Sequence, residues 1–410
     1  MPSTPTRRSF LATLAGASAV GSAGCLDAAR DAGVGYRPSN AQLAGDRSDW
    51  PSVRHNPSNT GFNPNTEGPS NPSIEWQTPI WASVTEAVVA DGTVYLPMGD
   101  HLRAHDAATG EEHWRYSGRE HSSFWQAPAV HDGEVYVTDE EPRVVALDPK
   151  TGAERWEAET DGDVRTPPTV ATPFDDEVLV CVGTDNARLH AVSTRSETVV
   201  WTADTFTPAS QAPAVSGQQL SVYVATHGGE VYGFDVEEGE PLWRTKLTTW
   251  AQSPPVLSAR HLYISGFGDD LFALNPKRVG REEWDTEFGP GVGAVTSAGG
   301  STFVASDGGL TALDTHDGSE WWHVPLTGRV TGAPAVSRDT VYVGDENGIL
   351  HAVKRRAGLD AGPMRLESKR WTLDLGQPIR GRIAVADGTV YVPTSGNKNE
   401  DEDGHLYAIR

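Results

Sequence analysis

Short runs of alternating apolar and polar residues recur along most of this chain. Valine and tyrosine alternate in runs such as 135–137 and 222–224, and a second run that ends in Asp or Asn soon follows each of them. β-Branched and aromatic residues in alternation predict short, half-buried strands. A glycine often comes a few residues after the Asp, as Gly152 does after Asp148, and this spacing predicts a tight turn. The pattern therefore predicts many short antiparallel strands joined by turns.

A tryptophan follows most of these units at a nearly constant interval. The spacings are 38, 42, 45, 42, 41, 38 and 49 residues for Trp76, Trp114, Trp156, Trp201, Trp243, Trp284, Trp322 and Trp371. A repeat of about 40 residues that is rich in strands is typical of a β-propeller, with one four-stranded blade per repeat. We expect each indole to begin an outer strand and to pack against the neighbouring blade, because it can bury a large apolar area there.

The strand unit occurs eight times, which predicts an all-β, eight-bladed propeller of four-stranded antiparallel blades over residues 74–410. The last copy has no tryptophan, and Trp76 has no strand unit before it. We therefore predict that the segment from Ile74 to Thr78 supplies the missing outer strand of the last blade and closes the ring. Seven blades are the alternative, since the copy at 169–193 lacks the Asp and the Gly. Residues 357–368 are expected to form a surface insertion.

The N-terminal residues resemble a targeting segment rather than a part of the folded domain. Arg7 and Arg8 precede an Ala- and Gly-rich apolar run that ends at Cys25. This order resembles a twin-arginine export signal with a lipidation motif, although Ser22 stands where that motif usually has a larger apolar residue. We expect a signal peptide over 1–25, lipid on Cys25 at the outer face of the cytoplasmic membrane, a polar tether over 26–49 and an extension over 50–73 that packs on the propeller. An ordinary leader with a chance cysteine is the alternative.

The composition is strongly acidic and contains little cysteine. The formal net charge is −23, and it becomes −25 without residues 1–25, which hold two arginines and no other charged group. Salt screens such self-repulsion, because the Debye length falls to about 3 Å at 1 M. We expect a salt-adapted protein whose stability rises with salt, and a nucleic-acid partner is disfavoured because it would need a basic surface. Besides Cys25 the chain has only Cys181, which the run 178–182 predicts to be a buried strand thiol.

Residues 146–156 carry a family resemblance. Their sequence, Ala-Leu-Asp-Pro-Lys-Thr-Gly-Ala-Glu-Arg-Trp, resembles the repeat of pyrroloquinoline-quinone dehydrogenases. It is equally similar to the repeat of the propeller lipoprotein in the bacterial β-barrel assembly machine. The stretch with Trp50, Arg54 and Asn59 resembles the opening of haloarchaeal secreted repeat proteins. The resemblance covers about residues 50–410 and implies the propeller fold together with either a scaffold or a quinone enzyme.

The resemblance to quinone enzymes does not extend to their site residues. Those enzymes commonly bind the quinone over two adjacent cysteines, with calcium and a catalytic Asp nearby. This chain has no adjacent cysteines, and no segment matches the calcium ligands or the catalytic base. We therefore predict no catalytic residue, no cofactor and no metal site. A quinone-dependent dehydrogenase, or an inactive relative of one, is the alternative.

Two other patterns are weak candidates for metal binding. The loop with Asn399, Asp401 and Asp403 is similar to the start of a calcium loop, but its twelfth position is Arg410 instead of Glu, so an acidic hairpin loop is the preferred interpretation. His101 and His105 could share a strand face, but no third ligand is evident.

The segments before the inner strands suggest a binding surface at the mouth of the central channel. Aligning the copies places polar residues at one position, and aromatic or basic side chains stand near it. The candidates are Trp125, Gln126, Arg165, Gln211, Trp250, Gln252 and Arg380, with Trp81 beside them. Aromatic and Arg side chains often anchor partners, whereas a plain structural lining is the alternative. The predicted function is a monomeric, non-catalytic, lipid-anchored scaffold for a protein partner at the cell surface. A small-ligand or glycan binder at the channel mouth is a further alternative.

Overall fold

The computed structural model describes residues 48–80, 86–174, 177–209, 211–216, 218, 220–268, 270–288, 295–356, 369–396 and 403–410. The twin-arginine pair, Cys25, Trp81 and the proposed insertion at 357–368 lie outside these residues, as do Asn399 and Asp401. Among the residues described, no helix has both the length and the apolar character to cross a membrane.

Strands account for nearly all the regular structure. The first half of the chain forms β1 (Ile74–Ile80), β2 (Val88–Ala90), β3 (Thr93–Pro97), β4 (Leu102–Asp106), β5 (Glu112–Tyr116), β6 (Ala129–His131), β7 (Glu134–Val137), β8 (Arg143–Leu147), β9 (Glu154–Glu159), β10 (Thr169–Phe174), β11 (Glu177–Thr184), β12 (Arg188–Ser193), β13 (Thr198–Asp204), β14 (Ala214–Ser216), β15 (Ser221–Ala225), β16 (Glu230–Asp235) and β17 (Pro241–Lys246).

The second half continues the same series. It forms β18 (Val256–Leu257), β19 (Leu262–Ser265), β20 (Asp270–Asn275), β21 (Arg281–Glu287), β22 (Thr296–Ala298), β23 (Ser301–Ser306), β24 (Gly309–Asp314), β25 (Glu320–Val324), β26 (Ala335–Val336), β27 (Thr340–Gly344), β28 (Ile349–Lys354), β29 (Lys369–Asp374), β30 (Ala384–Ala386), β31 (Thr389–Pro393) and β32 (Gly404–Ile409). A single 3₁₀ turn, Pro276–Arg278, lies between β20 and β21.

The strands form eight four-stranded antiparallel sheets, which confirms the predicted eight-bladed propeller. Blade 1 is β2 to β5, and each later blade takes the next four strands in turn. Blade 8 combines β30, β31 and β32 with β1, whose Trp76 pairs with Ala408, so the ring closes as predicted. The seven-bladed alternative is wrong, because the degenerate copy forms the complete blade 3 from β10 to β13. Its turn at Glu197 reaches a positive φ of 57° without a glycine.

One cross-strand row repeats in every blade and explains the sequence pattern. In blade 1, Tyr95 on the second strand lies beside Ala104, which lies beside Trp114 on the outer strand. The small middle residue leaves room for the two rings, whose centroids are 5.9 Å apart. Seven blades place an aromatic residue at the first position of this row. Blade 3 instead places Cys181 there, beside Ala191, and its thiol is fully buried.

The outer-strand indoles also contact the next blade. Trp114 donates a hydrogen bond from Nε1 to the carbonyl of Pro149 in blade 2 (2.9 Å). A Cβ atom at Gly152, in the same turn, would lie 2.5 Å from that indole. The same close approach joins Gly110 to Trp76, Gly239 to Trp201, Gly280 to Trp243 and Gly318 to Trp284. The glycine of each such turn therefore lets the preceding indole pack between two blades.

The path of the strands gives the propeller two different faces. We call the upper face the one that carries the loops leading into the inner strands and the turns between second and third strands. The lower face carries the other two turns of each blade. Buried valines, alanines and aromatic residues fill the spaces between neighbouring blades.

Candidate functional site

Residues 48–66, which we call the plug segment, close the lower end of the central channel. The sequence predicted an extension that packs on the propeller, but not its position inside the ring. Trp50 exchanges two backbone hydrogen bonds with Val89 on the inner strand of blade 1 (2.7 and 2.9 Å). Further carbonyls of this plug segment accept hydrogen bonds from Val130, Val215, Leu257, Ser297, Val336 and Asp387. The segment thus satisfies inner-strand N–H groups in six of the eight blades and a turn N–H group in blade 8, which would otherwise be unpaired around the channel.

Three polar side chains of the plug segment reach the carbonyls of distant blades. Asn59 donates from Nδ2 to Pro213 and Pro255, each at 3.0 Å. Asn63 donates to Val385 at 2.9 Å, and Arg54 donates to the carbonyl of Pro334 at 3.0 Å. Arg54 also donates to Val295 and Thr296. These hydrogen bonds bridge blades 4 to 8 and hold the segment in one position.

A buried carboxylate, Glu86, faces the plug segment inside the channel. Its Oε1 accepts hydrogen bonds from Trp50 Nε1 and from the backbone of Arg54, both at 2.8 Å. Arg382 lies 4.0 Å from Oε2. Burial raises the pKa of Glu86, opposed by the nearby arginines, and burial lowers the pKa of Arg54 to about 9. Oε1 of Glu86 is thus occupied by the protein's own donors, whereas the buried Oε2 has no hydrogen-bond partner among the described residues.

The residues described do not assemble the donor set of a calcium-bound quinone. Within the described ranges, no group of three or more His, Cys, Asp or Glu side chains could hold a metal ion. His101 and His105 have different partners, since His101 pairs with Asp100 and His105 contacts the carbonyl of Gly110. Cys181 is buried, and burial raises the pKa of its thiol to about 12.

The seven predicted channel-mouth residues all lie in loops that lead into inner strands, on the upper face. Gln126 donates to the carbonyl of Arg165 in the next loop (3.2 Å), so the structure brings these two together. Arg165 pairs with Asp163 at 3.1 Å, and Arg380 pairs with Glu346 at 3.3 Å.

The remaining candidates have other neighbours. Trp125 packs on Gly99 of blade 1, and a Cβ atom there would lie 3.1 Å from its ring. Gln211 is half-buried before blade 4, and Gln252 is exposed before blade 5. Trp250 stacks on Phe267, with ring centroids 4.6 Å apart. The seven candidates are thus distributed over the loops of five blades, and their role in binding stays a prediction.

Three exposed aromatic side chains with an arginine form a surface that the sequence prediction only partly found. We call Phe206, Arg244, Trp250 and Phe267 the aromatic surface. The exposed fractions of Phe206, Trp250 and Phe267 are 68%, 48% and 55%. Arg244 places its guanidinium 4.5 Å from the centre of the Phe206 ring. Large apolar residues in two polar loops, Thr205 to Thr207 and Gly266 to Gly268, were the available signal in the sequence.

Comparison with known proteins identifies the class and then the family. The fold is that of a pyrroloquinoline-quinone-type β-propeller, as the repeat predicted. The family described as outer membrane protein assembly factor BamB matches residues 98–173, 171–249 and 227–361, and this chain belongs to that family. Outer membrane protein assembly factor BamB of Xanthomonas campestris is 28% identical over 351 residues, which are 78% of this chain and 80% of that protein.

Two further proteins share the repeat or the fold. Serine/threonine-protein kinase AfsK of Streptomyces griseus is 29% identical over 286 residues, which are 66% of this chain. The matched part is only 34% of the kinase, so the chain spans about a third of that relative. The crystal structure of quinohemoprotein alcohol dehydrogenase from Comamonas testosteroni superposes with a TM-score of 0.70 at 14% identity, covering 90% of this chain and 81% of that one. At this identity the likeness shows the fold alone.

Proposed function

We propose that this protein is a non-catalytic, lipid-anchored scaffold outside the cytoplasm that binds a partner protein through its upper face. The observation that carries the proposal is the uneven distribution of exposed apolar side chains. Of the large apolar residues exposed in loops of the described chain, Trp125, Phe206, Trp250 and Phe267 lie on the upper face, and Val279 lies on the lower face. Exposed aromatic residues that gather on one face are typical of interaction surfaces.

The lower face has a different use in this proposal. The described chain begins at Ser48, whose carbonyl accepts a hydrogen bond from Asp387 in a lower-face turn. A tether that leads from lipid on Cys25 would join the fold at this face and leave the upper-face loops for a partner. The relative from Xanthomonas campestris is named as an assembly factor, which supports a role through protein contacts.

The second candidate function is a quinone-dependent dehydrogenase, because the fold is similar to that of a quinohemoprotein alcohol dehydrogenase. The absence of two adjacent cysteines from the sequence argues against it. Adding pyrroloquinoline quinone and Ca²⁺ to the full chain, with alcohols or sugars and an electron-accepting dye, is expected to give no reduction of the dye. Quinone-dependent dye reduction would replace the scaffold proposal with an enzyme.

A face-specific cross-linking experiment tests the scaffold directly. The full chain carries Cys25→Ser together with either Phe267→Cys or Val279→Cys, and each variant is labelled with a benzophenone maleimide. The buried thiol of Cys181 stays unlabelled, because its pKa of about 12 leaves almost no thiolate. The labelled protein is then mixed with solubilised envelope proteins of the source cells and illuminated.

The scaffold proposal predicts one saturable adduct from the label at position 267, competed by unlabelled protein, and none from the label at 279. Val279 is the matched control, because it is likewise exposed, at 68% against 55% for Phe267, but lies on the opposite face. Equal labelling from both positions, or labelling from 279 alone, would contradict the proposed upper-face function. Membrane fractionation of the Cys25→Ala variant tests the anchor separately, and it should move this protein to the soluble fraction.

A further inference from the structure

The parts of the aromatic surface are continuous across blades 4 and 5. Thr207, next to Phe206, accepts a hydrogen bond from the N–H of Gly228 at 2.7 Å. The neighbouring Gly229 lies against the carbonyl of Thr249. A Cβ atom at Gly229 would be 2.4 Å from that carbonyl oxygen. Thr249 in turn donates to the carbonyl of Phe267 at 2.6 Å. The glycine turn at 228–229 therefore links the Phe206 end to the Trp250 end.

Backbone hydrogen bonds hold the loops that carry the aromatic rings, and the rings of Trp250 and Phe267 stack on each other. Phe267 donates from its N–H to the carbonyl of Trp250 at 3.0 Å, and Ala251 pairs with Gly266 as an antiparallel bridge. Phe206 donates from its N–H to the hydroxyl of Tyr232 at 2.9 Å. Rings that are already ordered lose little conformational entropy on binding, so their exposed area contributes more to affinity.

The charge of this surface differs between its two ends. Arg244 stacks on Phe206 and makes no ion pair with any residue in the described part of the chain, although the whole chain carries a net charge of −23. Lys246, two residues on, is already paired with Glu230 at 3.0 Å. At the other end, Asp270 closes the turn that holds Phe267 by accepting at its carbonyl from Gly266. A guanidinium stacked on a ring keeps its N–H edge available for a carboxylate.

We propose that the aromatic surface binds an extended segment of a partner protein that combines an acidic residue with apolar ones. The carboxylate of the segment pairs with Arg244 at the Phe206 end. Its apolar side chains pack on the stacked rings of Trp250 and Phe267. This inference rests on the proposed scaffold function and names the chemistry of the partner. The unpaired arginine favours an acidic protein segment over a neutral glycan, which would use the rings alone.

Peptide selection with a double-mutant cycle tests the inference. Random 12-residue peptides displayed on phage are selected against the full chain with Cys25→Ser, and the enriched peptides are synthesised. Their dissociation constants are measured by fluorescence anisotropy for the wild-type surface and for Trp250→Ala, Arg244→Gln and Trp321→Ala. Trp321 is the matched control, since it is 47% exposed on the outer strand of blade 6. Near-ultraviolet circular dichroism checks that each variant is folded.

The enriched peptides should carry Asp or Glu within a few residues of an aromatic or leucine. We expect Trp250→Ala to weaken binding about 30-fold, Arg244→Gln about tenfold and Trp321→Ala less than about twofold. Replacing the acid of the peptide by its amide should cost about the same tenfold, with no further loss against Arg244→Gln. A structural role of Arg244 would not give this coupling.

Three outcomes would overturn the inference. The first is selected peptides without acidic residues, or peptides whose affinity is unchanged by Trp250→Ala and Arg244→Gln. The second is glycan-array binding that Trp250→Ala abolishes while no peptide binds. The third is a wild-type dimer, seen by light scattering, that Trp250→Ala turns into a monomer, which would make a second copy the occupant. If the label at 267 still cross-links a partner in these cases, the scaffold function stands and only the chemistry assigned here is wrong.

Discussion

The two ends of the central channel use polar and aromatic side chains in opposite ways. At the lower end, Arg54 and Asn59 of the plug segment are buried, and both donate hydrogen bonds to carbonyl oxygens of the protein itself. At the upper end, Trp250 and Phe267 are ordered by the backbone yet remain exposed. Groups inside the channel therefore stabilise the ring, whereas we expect binding to use the upper loops. Removing a group from each end should therefore have different consequences.

The largest effect on stability is expected from Arg54→Ala. The substitution removes one of the two arginine charges near Glu86, the other being that of Arg382, and it removes donors from the carbonyls of Pro334 and Val295. Losing these buried hydrogen bonds together with the nearby charge costs about 3–5 kcal/mol of unfolding free energy. Urea unfolding should show this loss for Arg54→Ala and a change within about 0.5 kcal/mol for the exposed Arg244→Ala. Similar stabilities of the two variants would mean that the plug segment does not hold the ring.

The next effect separates indoles inside the ring from those on its surface. Trp114→Ala removes a buried ring that packs on Gly152 and Tyr95, so we expect a loss of about 3–4 kcal/mol. The control Trp321→Ala removes an indole that is half exposed and should cost less than about 1 kcal/mol. Thermal unfolding of both variants at one salt concentration measures the difference. Equal losses would show that the tryptophan repeat does not join the blades.

A pair of glycines isolates the contact between blades. Gly152 and Gly133 have nearly the same φ, +68° and +71°, but only at Gly152 would a Cβ atom meet an indole. Gly133→Ala should cost about 1 kcal/mol from the left-handed backbone alone. Gly152→Ala should cost about 1–3 kcal/mol more, because the Trp114 ring must move. The measurement is the difference in unfolding free energy, and a difference near zero would remove the steric argument.

The smallest expected effect is a loss of stability at acidic pH that depends on His55 of the plug segment. Burial lowers the pKa of His55 from its ordinary value of 6.5 to about 3. Below pH 6.5, His55 is therefore protonated in the unfolded chain but stays neutral in the folded protein. The free energy of unfolding consequently falls as the pH decreases towards 3. Between pH 6.5 and 5 this amounts to about 1–2 kcal/mol. His55→Asn, which tolerates the positive φ of 76°, should flatten this part of the pH–stability curve. An unchanged slope would show that His55 is not the group responsible.

The sequence predicted the blades but not the interior of the ring. The tryptophan interval and the Asp–Gly turns are local, so they revealed eight blades, and the unmatched Trp76 revealed how the ring closes. The plug segment has no such period, because its partners are backbone carbonyls far away along the chain, such as Pro334 for Arg54. The structure places the predicted channel-mouth residues in upper-face loops, and their role in binding stays a prediction. Their alignment could not show that Trp250 stacks on Phe267, since that contact depends on the neighbouring turn.

Oxidative footprinting of the protein in its native membrane tests directly whether a partner covers the aromatic surface of the upper face. Hydroxyl radicals modify exposed aromatic side chains, and mass spectrometry compares purified protein with protein in intact envelopes. We expect Trp250, Phe267 and Phe206 to be protected several-fold in the envelope, while Trp321 on the outer strand reacts equally in both samples. Equal reactivity of Trp250 and Phe267 in the two samples, with protection confined to the lower face or the outer strands, would contradict it.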